Sequence, residues 1–417
     1  MTVRKFFLGF LFFMLFVFSR RADAAGFGIY EWSARGNALG GAMVARADDP
    51  SAVAFNPAGM VQLEGTQMMF GFTAISPTAD MTGYDLPAYL MADPFATTVS
   101  STFFPPHFYY TRQVSENQWF GIGLFTRFGL GTEFDPGWFG RYNSYKGEIA
   151  SVSVNPSWAW KVNDKLSLGV GIEGMYFAID LRKRIPPIPA YGLAENDSQL
   201  DGDSFGWGWN LGLLFKPVED VRFGLTYRSR IEQEVKGDLK FGNSIPGLFP
   251  NTGAGGKITL PDLLSAGVFW QASPKLSFEV DAVLTRWSAY DKLSINYDEP
   301  VGGHDSSTYP KNWNDTWRYQ LGIEYALNEN LDLRVGYIID PSPIPDSTVD
   351  YLAPTNDRKL YSIGLGYRKG DWTYDFAYTY LDIKRREIQG RPADFIYDSC
   401  QENADAHLFG ISLSRKF

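Results

Sequence analysis

The stretch 204-SFGWGWNLGLLFKPVEDVRFGLTYRSR-230 decides how this chain folds. Phe205, Trp207, Trp209, Leu211, Leu213 and Phe215 make one large apolar row, and the interleaved Ser204, Gly206, Gly208, Asn210 and Gly212 are small or polar. An apolar period of two is that of a strand. After the tight connection 216–220, Val221, Phe223, Leu225 and Tyr227 fall on one face and Arg222, Gly224, Thr226 and Arg228 on the other, so the pair reads as a β-hairpin. In a soluble sandwich the small-residue face would carry Lys and Glu. Alternating segments of about ten residues, flanked by aromatics, instead suit a transmembrane barrel.

Working outward from this hairpin, the alternation recurs over 68–74, 104–112, 120–134, 149–162, 166–183, 204–215, 221–241, 258–272, 276–297, 313–327, 331–340, 359–368, 372–387 and 406–417. That predicts about 14 antiparallel strands, the even number a bacterial barrel requires. The connections fall into two classes. Short polar turns at 114–118, 163–165, 216–220, 273–275, 328–330 and 369–371 alternate with long stretches at 76–102, 135–147, 184–202, 242–257, 298–312, 341–357 and 388–404. Alternate connections lie at opposite rims, so all short turns share the periplasmic rim and all long loops the external one. Phe409, Ile411, Leu413 and Phe417 end the chain at period two, with His407 extending the row. Such a terminal strand closes the barrel, leaves no edge, and is the segment offered to the barrel-assembly machinery.

Bulk composition agrees. Aromatics make up 16% of the chain and glycine 42 residues, while the mean hydropathy is only −0.20, so a membrane chain of this kind must alternate. Beyond the N-terminus no apolar run reaches the roughly 18 residues of a spanning helix. The net charge of −9 argues against a nucleic-acid partner. Cys400 is a lone cysteine, and His107, His304 and His407 are far apart, which supplies no disulfide, metal cluster or catalytic dyad. No P-loop or nucleophile–base pair stands out, so the expectation is a non-enzyme without cofactor. Arg4 and Lys5 precede the apolar run 6–18, and Ala22-Asp23-Ala24 supplies a small-x-small cleavage site, so 1–24 reads as a secretory signal peptide.

Residues 25–65 are neither strand-like nor a long amphipathic helix. Gly36, Gly40, Gly41, Asp48-Asp49 and Asn56-Pro57-Ala58-Gly59 fit a tail, a cap or a plug ahead of the barrel at 66–417. With Ala25-Gly26-Phe27, this Asn56-Pro57-Ala58 element, 128-FGLGTEF-134, 206-GWGWN-210, 225-LTYRS-229, Leu260-Pro261, Trp287-Ser288 and 340-DPSPIP-345 in view, the chain resembles the FadL/TodX family of outer-membrane transporters for long-chain fatty acids and other hydrophobic compounds. The resemblance spans nearly the whole mature chain. It implies a 14-stranded barrel in a Gram-negative outer membrane, working as a monomer, with 25–65 folded into the lumen as a hatch.

Strand parity addresses the lumen directly. With Leu166, Leu168, Val170 and Ile172 turned to lipid and Tyr176 in the aromatic girdle, Glu173, Met175, Phe177, Ile179, Leu181 and Lys183 face inward. The result is an apolar stripe ending in one cation, complementary to an amphipathic carboxylate. A β-bulge near Gly174 would reverse that register. In 331–340, Asp332, Arg334 and Asp340 point inward; Asp340 belongs to the pocket element in the resemblance, or forms a salt bridge to a lumen arginine such as Arg318. By similarity Lys183 takes the family's basic carboxylate-binding position, while Lys311 lies two residues from the second. The resemblance also implies an inner site touching Phe27, and a side opening where the third strand kinks. Phe128, Gly129 and Gly131 fall there, with Asn56-Pro57-Ala58 opposite; plain lumen glycines beside a plug are the other reading of Gly129 and Gly131. The expected function is passive uptake of long-chain fatty acid or hydrocarbon with lateral release into outer-membrane lipid. A polar-solute porin or an adhesin-like barrel acting through its loops is the alternative.

Overall fold

The computed structural model describes residues 26–189 and 192–417. The expected signal peptide at 1–24 and Ala25 lie outside the described residues. Fourteen wall strands make one closed antiparallel ring. In chain order they are β1 Thr66–Gly83, β2 Pro106–Ser115, β3 in two pieces (Gln118–Phe125 and Gly129–Glu133), β4 Lys146–Lys161, β5 Leu166–Ile185 and β6 Asn196–Val218. Then follow β7 (Val221–Arg228 and Ile231–Phe241), β8 (Thr252–Leu260 and Leu263–Ser273), β9 (Leu276–Thr285 and Lys292–Val301) and β10 (His304–Pro310 and Thr316–Ala326). β11 Leu331–Asp340, β12 Arg358–Lys369, β13 Trp372–Ile383 and β14 Ser399–Lys416 complete the wall. β14 pairs with β13 on one side and with β1 on the other, from Gln67↔Lys416 to Gly83↔Ser399, so no edge is left open.

Every short turn sits at one rim, as in the Val218↔Val221, Ser273↔Leu276 and Lys369↔Trp372 closures. The wall is taller at the other rim than the alternation alone indicates. β1 runs on to Gly83 rather than ending near residue 74, and the stretches 252–257, 298–301 and 304–310, read as loop, are strand. Above the membrane both faces of a strand meet water, so the apolar period vanishes while backbone pairing persists. On β6 the parity is as expected: Phe205, Trp207, Trp209 and Leu211 are exposed and Ser204, Gly206, Gly208 and Asn210 buried. Ring pairs such as Trp209–Tyr227 and Trp270–Phe278 form the girdles.

Residues 26–65 lie inside the ring. They form two short helices, α1 Ala34–Ala38 and α2 Ala52–Phe55, and a 3-10 helix Pro57–Gln62. Ser33 caps α1 by accepting from the Gly36 amide at 3.0 Å, and Asn56 caps the 3-10 helix by accepting from the Ala58 amide at 3.1 Å. Contacts run right round the wall. Asn37 donates to Thr73 of β1, the Tyr109 hydroxyl of β2 to the Trp32 carbonyl, and the Met43, Val44 and Ala45 amides to Asp281 and Glu279 of β9. Where a wall residue must be glycine the reason is contact: a Cβ at Gly336 of β11 would stand 2.1 Å from the Gly40 nitrogen. Ion pairs of Arg35 and Arg46 with Glu324, and of Arg222 with Asp48, tie the same segment to β10 and β7.

Candidate ligand site and wall break

The wall is interrupted in β3. Its ladder with β2 ends at Phe108↔Leu124, and beyond Phe125 the piece Gly129–Glu133 pairs with β4 alone. Charged Arg127 and the two glycines account for this locally: an alternating apolar strand gives way to a side chain that must find an anion and to residues that weaken pairing. The inner segment supplies the missing backbone partners. The Ile29 amide donates to the Arg127 carbonyl at 2.7 Å, and the Gly129 amide donates to the Phe27 carbonyl at 2.9 Å. Trp32 Nε1 donates to the Thr126 carbonyl at 2.8 Å. A cavity of about 400 Å³ opens at the gap, walled by Ile29, Phe103, Phe128, Gly131 and Ile149. Both glycines keep it open: a Cβ on Gly131 would meet the Phe103 ring at 1.9 Å, and one on Gly129 would meet Ile29 Cδ1 at 2.5 Å.

Behind the gap, Phe27 is clasped by aromatic rings. Its centroid lies 5.9 Å from Phe128, 4.9 Å from Trp287, 5.7 Å from Tyr290 and 5.6 Å from Trp313, in edge-on or tilted arrangements that favour the ring quadrupoles. Three of these rings come from irregular points in β9 and β10, namely the turn at Trp287–Ala289 and the stretch before Thr316. The box joins the apolar core that holds Met175, Phe177 and Ile179.

A buried polar knot ties the break to the inner segment. Arg127 Nη1 donates to Glu173 at 3.2 Å, Arg228 Nη1 to Glu173 at 2.6 Å, and Ser153 Oγ to Glu173 at 2.7 Å. Arg228 Nη2 also donates to the Ala54 carbonyl of α2 at 2.8 Å. One carboxylate is thereby shared by two guanidiniums, an arrangement that satisfies charges otherwise costly to bury. Glu31 lines the same cavity, where burial pushes its carboxyl up, against the Tyr30 amide that it accepts from and the pull of Arg358 and Arg318.

The geometry has close counterparts. The family profile described as outer membrane protein transport protein (OMPP1/FadL/TodX) matches residues 15–417. The chain belongs to this family. The long-chain fatty acid transport protein of Escherichia coli O6:H1 is 26% identical, with 96% of each chain covered. Among solved structures, a Pseudomonas aeruginosa FadL homologue superposes with a TM-score of 0.82 at 20% identity, covering 94% of this chain and all of that one. The Ralstonia pickettii toluene transporter TbuX gives 0.73 at 18% identity, covering 94% of this chain and 100% of that one. The protein is thus a FadL/TodX-type barrel of the outer membrane.

Within this FadL/TodX barrel the expected site residues fall into separate groups. β5 pairs with β6 without a register shift from Leu166↔Phe215 to Ile185↔Asn196, so no bulge reverses it at Gly174; Met175 and Phe177 are fully buried, Ile179 is buried and Leu181 half-buried. Lys183 tops the stripe and donates to the Tyr309 hydroxyl at 3.1 Å. Lys311 is buried and already paired with Asp350, so any ligand carboxylate would compete with a carboxylate of the chain itself. Asp340 bonds Arg358 rather than Arg318, and its Oδ2 accepts from the Tyr30 hydroxyl at 3.4 Å. Asn56, Pro57 and Ala58 do not sit at the break: they pack on Gly169 of β5 and Gly212 of β6, whose bare backbones let the segment approach, and Asn56 donates to the Leu213 carbonyl at 3.1 Å. The residues facing the break are Phe27 to Ile29 and Trp32. Sequence reading passed over Arg127, Arg228, Tyr290 and Trp313. A lone arginine inside an alternating apolar strand was the available signal for the first of these.

Proposed function

We propose that this chain carries long-chain fatty acids or related hydrophobic compounds passively across the outer membrane, releasing them sideways through the break in β3. Residues 25–65 act as the hatch. Cargo taken from the apolar external loops enters the stripe of Met175, Phe177, Ile179 and Leu181 below Lys183, reaches the box around Phe27, and leaves by the cavity at Gly129 and Gly131. The observation that carries the reading is the double hydrogen bond between Phe27–Ile29 and Arg127–Gly129. A ligand that takes the place of the Phe27 ring also pulls away the backbone partners of the break. The rest of the hatch stays fixed, since Arg35, Arg46 and Asp48 hold it to the wall through ion pairs.

Magnitudes support staged sites. Each buried CH₂ is worth ~0.8 kcal/mol, so a 16-carbon tail dried completely gains on the order of 12 kcal/mol. One deep pocket would hold such a ligand too tightly to let it go, whereas a stripe, a box and an exit into lipid divide the gain into steps. The relatives' named cargoes, fatty acids in one case and toluene in another, fit the same apolar route. The test is uptake of labelled oleate by cells lacking their own transporter, with and without this protein, together with liposome swelling in sugar solutions. Oleate uptake that depends on expression supports the proposal. Sugar permeation comparable to an open porin, without oleate uptake, overturns it. Lipid extraction and mass spectrometry of the purified protein then identify the cargo.

A further inference from the structure

Arginines that face the lumen are paired with carboxylates, as Arg222 is with Asp48 at 3.4 Å. Arg35, Arg46, Arg127, Arg228, Arg334 and Arg358 each lie within 3.2 Å of an Asp or Glu oxygen. Arg318 of β10 does not. Among the described residues it has no carboxylate within 4.0 Å and no hydrogen bond, its Nε is buried without a partner, and its one contact of note is the Tyr30 ring, 3.8 Å below the guanidinium. The register explains this. Tyr319↔Ile339 places Arg318 across from Asp340, and Asp340↔Arg358 places that aspartate across from Arg358, so one acid stands between two cations on the same face. Asp340 Oδ2 accepts from both Nε and Nη2 of Arg358 and also from the Tyr30 hydroxyl. Asp340 is thereby committed to Arg358, and Arg318 is left without an ion pair. Glu31, the other acid near the pair, accepts from the Tyr30 amide at 3.0 Å and makes no ion pair with Arg318.

We propose that Arg318 is the inner docking point for the carboxylate of an acidic amphiphile, a residue that decides between acid and neutral cargo. This rests on the transport reading above and adds to it a substrate class for the inner site. A small cavity of about 30 Å³ lies directly beside Arg318, bounded by Gly28, Tyr30, Phe128, Trp287 and Asp340. Trp287 and Phe128 belong equally to the ring box around Phe27, and Phe128 to the wall cavity. A carboxylate at Arg318 therefore sets the attached tail into either apolar space. The planar guanidinium has its N–H donors available and matches a carboxylate in two-point contact, which an ammonium does not reproduce. Lys183 then serves as the outer cation of the stripe and Arg318 as the inner one, nearer the exit.

The experiment compares palmitate and hexadecanol, equal in tail and different in head, for binding to purified full-length protein in detergent. Arg318→Met is expected to weaken palmitate by about tenfold or more, the loss typical of a charge-assisted hydrogen-bonded pair, and to leave hexadecanol within about twofold. Arg318→Lys is expected to fall between the two, because charge is kept and the fork lost. Heat-modifiable migration on gels verifies that each variant is folded. Equal losses for both ligands would mean that the guanidinium only packs on Tyr30, and unchanged palmitate binding would likewise overturn the assignment. If the unaltered protein binds neither ligand, it is the transport reading that fails, and this inference falls with it.

Discussion

Phe27→Ala tests the coupling between box and break most directly. Phe27 is 5% exposed and touches four rings. Truncating a buried phenylalanine costs about 3–5 kcal/mol where the site cannot collapse, and aromatic pairs of this geometry add about 0.5–1.5 kcal/mol each to such contacts. In the proposed cycle the ligand has to displace this ring, so the docked ring lowers apparent affinity by the fraction of time that it occupies the box. The two backbone bonds to Arg127 and Gly129 remain in the variant and keep part of the bias. A gain in apparent affinity of at least about tenfold and at most about a thousandfold follows, at 1.4 kcal/mol per decade. The assay is titration of purified wild-type and variant protein with a fluorescent polyene fatty acid, paired with amide hydrogen exchange over 27–32. Faster exchange at Ile29 and tighter binding are expected. Weaker binding with unchanged exchange would refute the reasoning, because Phe27 would then be part of the ligand's bed and not its competitor.

Three further outcomes are expected. Lys183→Glu should weaken carboxylate ligands more than neutral hydrocarbons in the same titration, and equal loss for both would reduce Lys183 to a packing role against Tyr309. Replacing Gly129 and Gly131 by leucine should stop oleate uptake while the barrel still assembles and migrates as a heat-modifiable band, since each added side chain enters space held by Ile29 or Phe103; undiminished uptake would remove the side exit. Glu173→Ala leaves Arg127 and Arg228 buried without their shared anion. That should cost about 3–5 kcal/mol and lower the unfolding temperature read by circular dichroism, whereas an unchanged transition would show that water compensates the two guanidiniums.

The legible part of the site was what strand parity governs. Met175, Phe177 and Ile179 face inward because β5 keeps an unbroken register with β6, and the same rule put Asp332, Arg334 and Asp340 inside. Parity says which side of a wall a residue takes but not which residue waits there. Asp340 could therefore be placed in the lumen without revealing that Arg358 would claim it and leave Arg318 unpaired. Lys311 has the right charge near the right place, yet Asp350, thirty-nine positions away in the chain, already neutralises it. Similarity to the family pointed to Asn56-Pro57-Ala58 as the element facing the break. The break is faced instead by Phe27 to Ile29, since the proline turn packs on the bare backbone that Gly169 and Gly212 provide on β5 and β6.

The amino-acid sequence alone determined the cylinder: the number of strands, the rim each turn occupies, the face each side chain takes, and the segment 25–65 left out of the wall. These follow from local periodicity, because a strand in a membrane must alternate and must be paired on both sides. Only the tertiary structure decided how the lumen is wired. Which rings surround Phe27, how Phe27 and Ile29 stand in for the missing partner of β3, and which of Arg318 and Arg358 takes Asp340 all depend on contacts between residues far apart in the chain. No periodic pattern encodes such contacts, since they arise from where residues 26–65 come to rest against the closed wall.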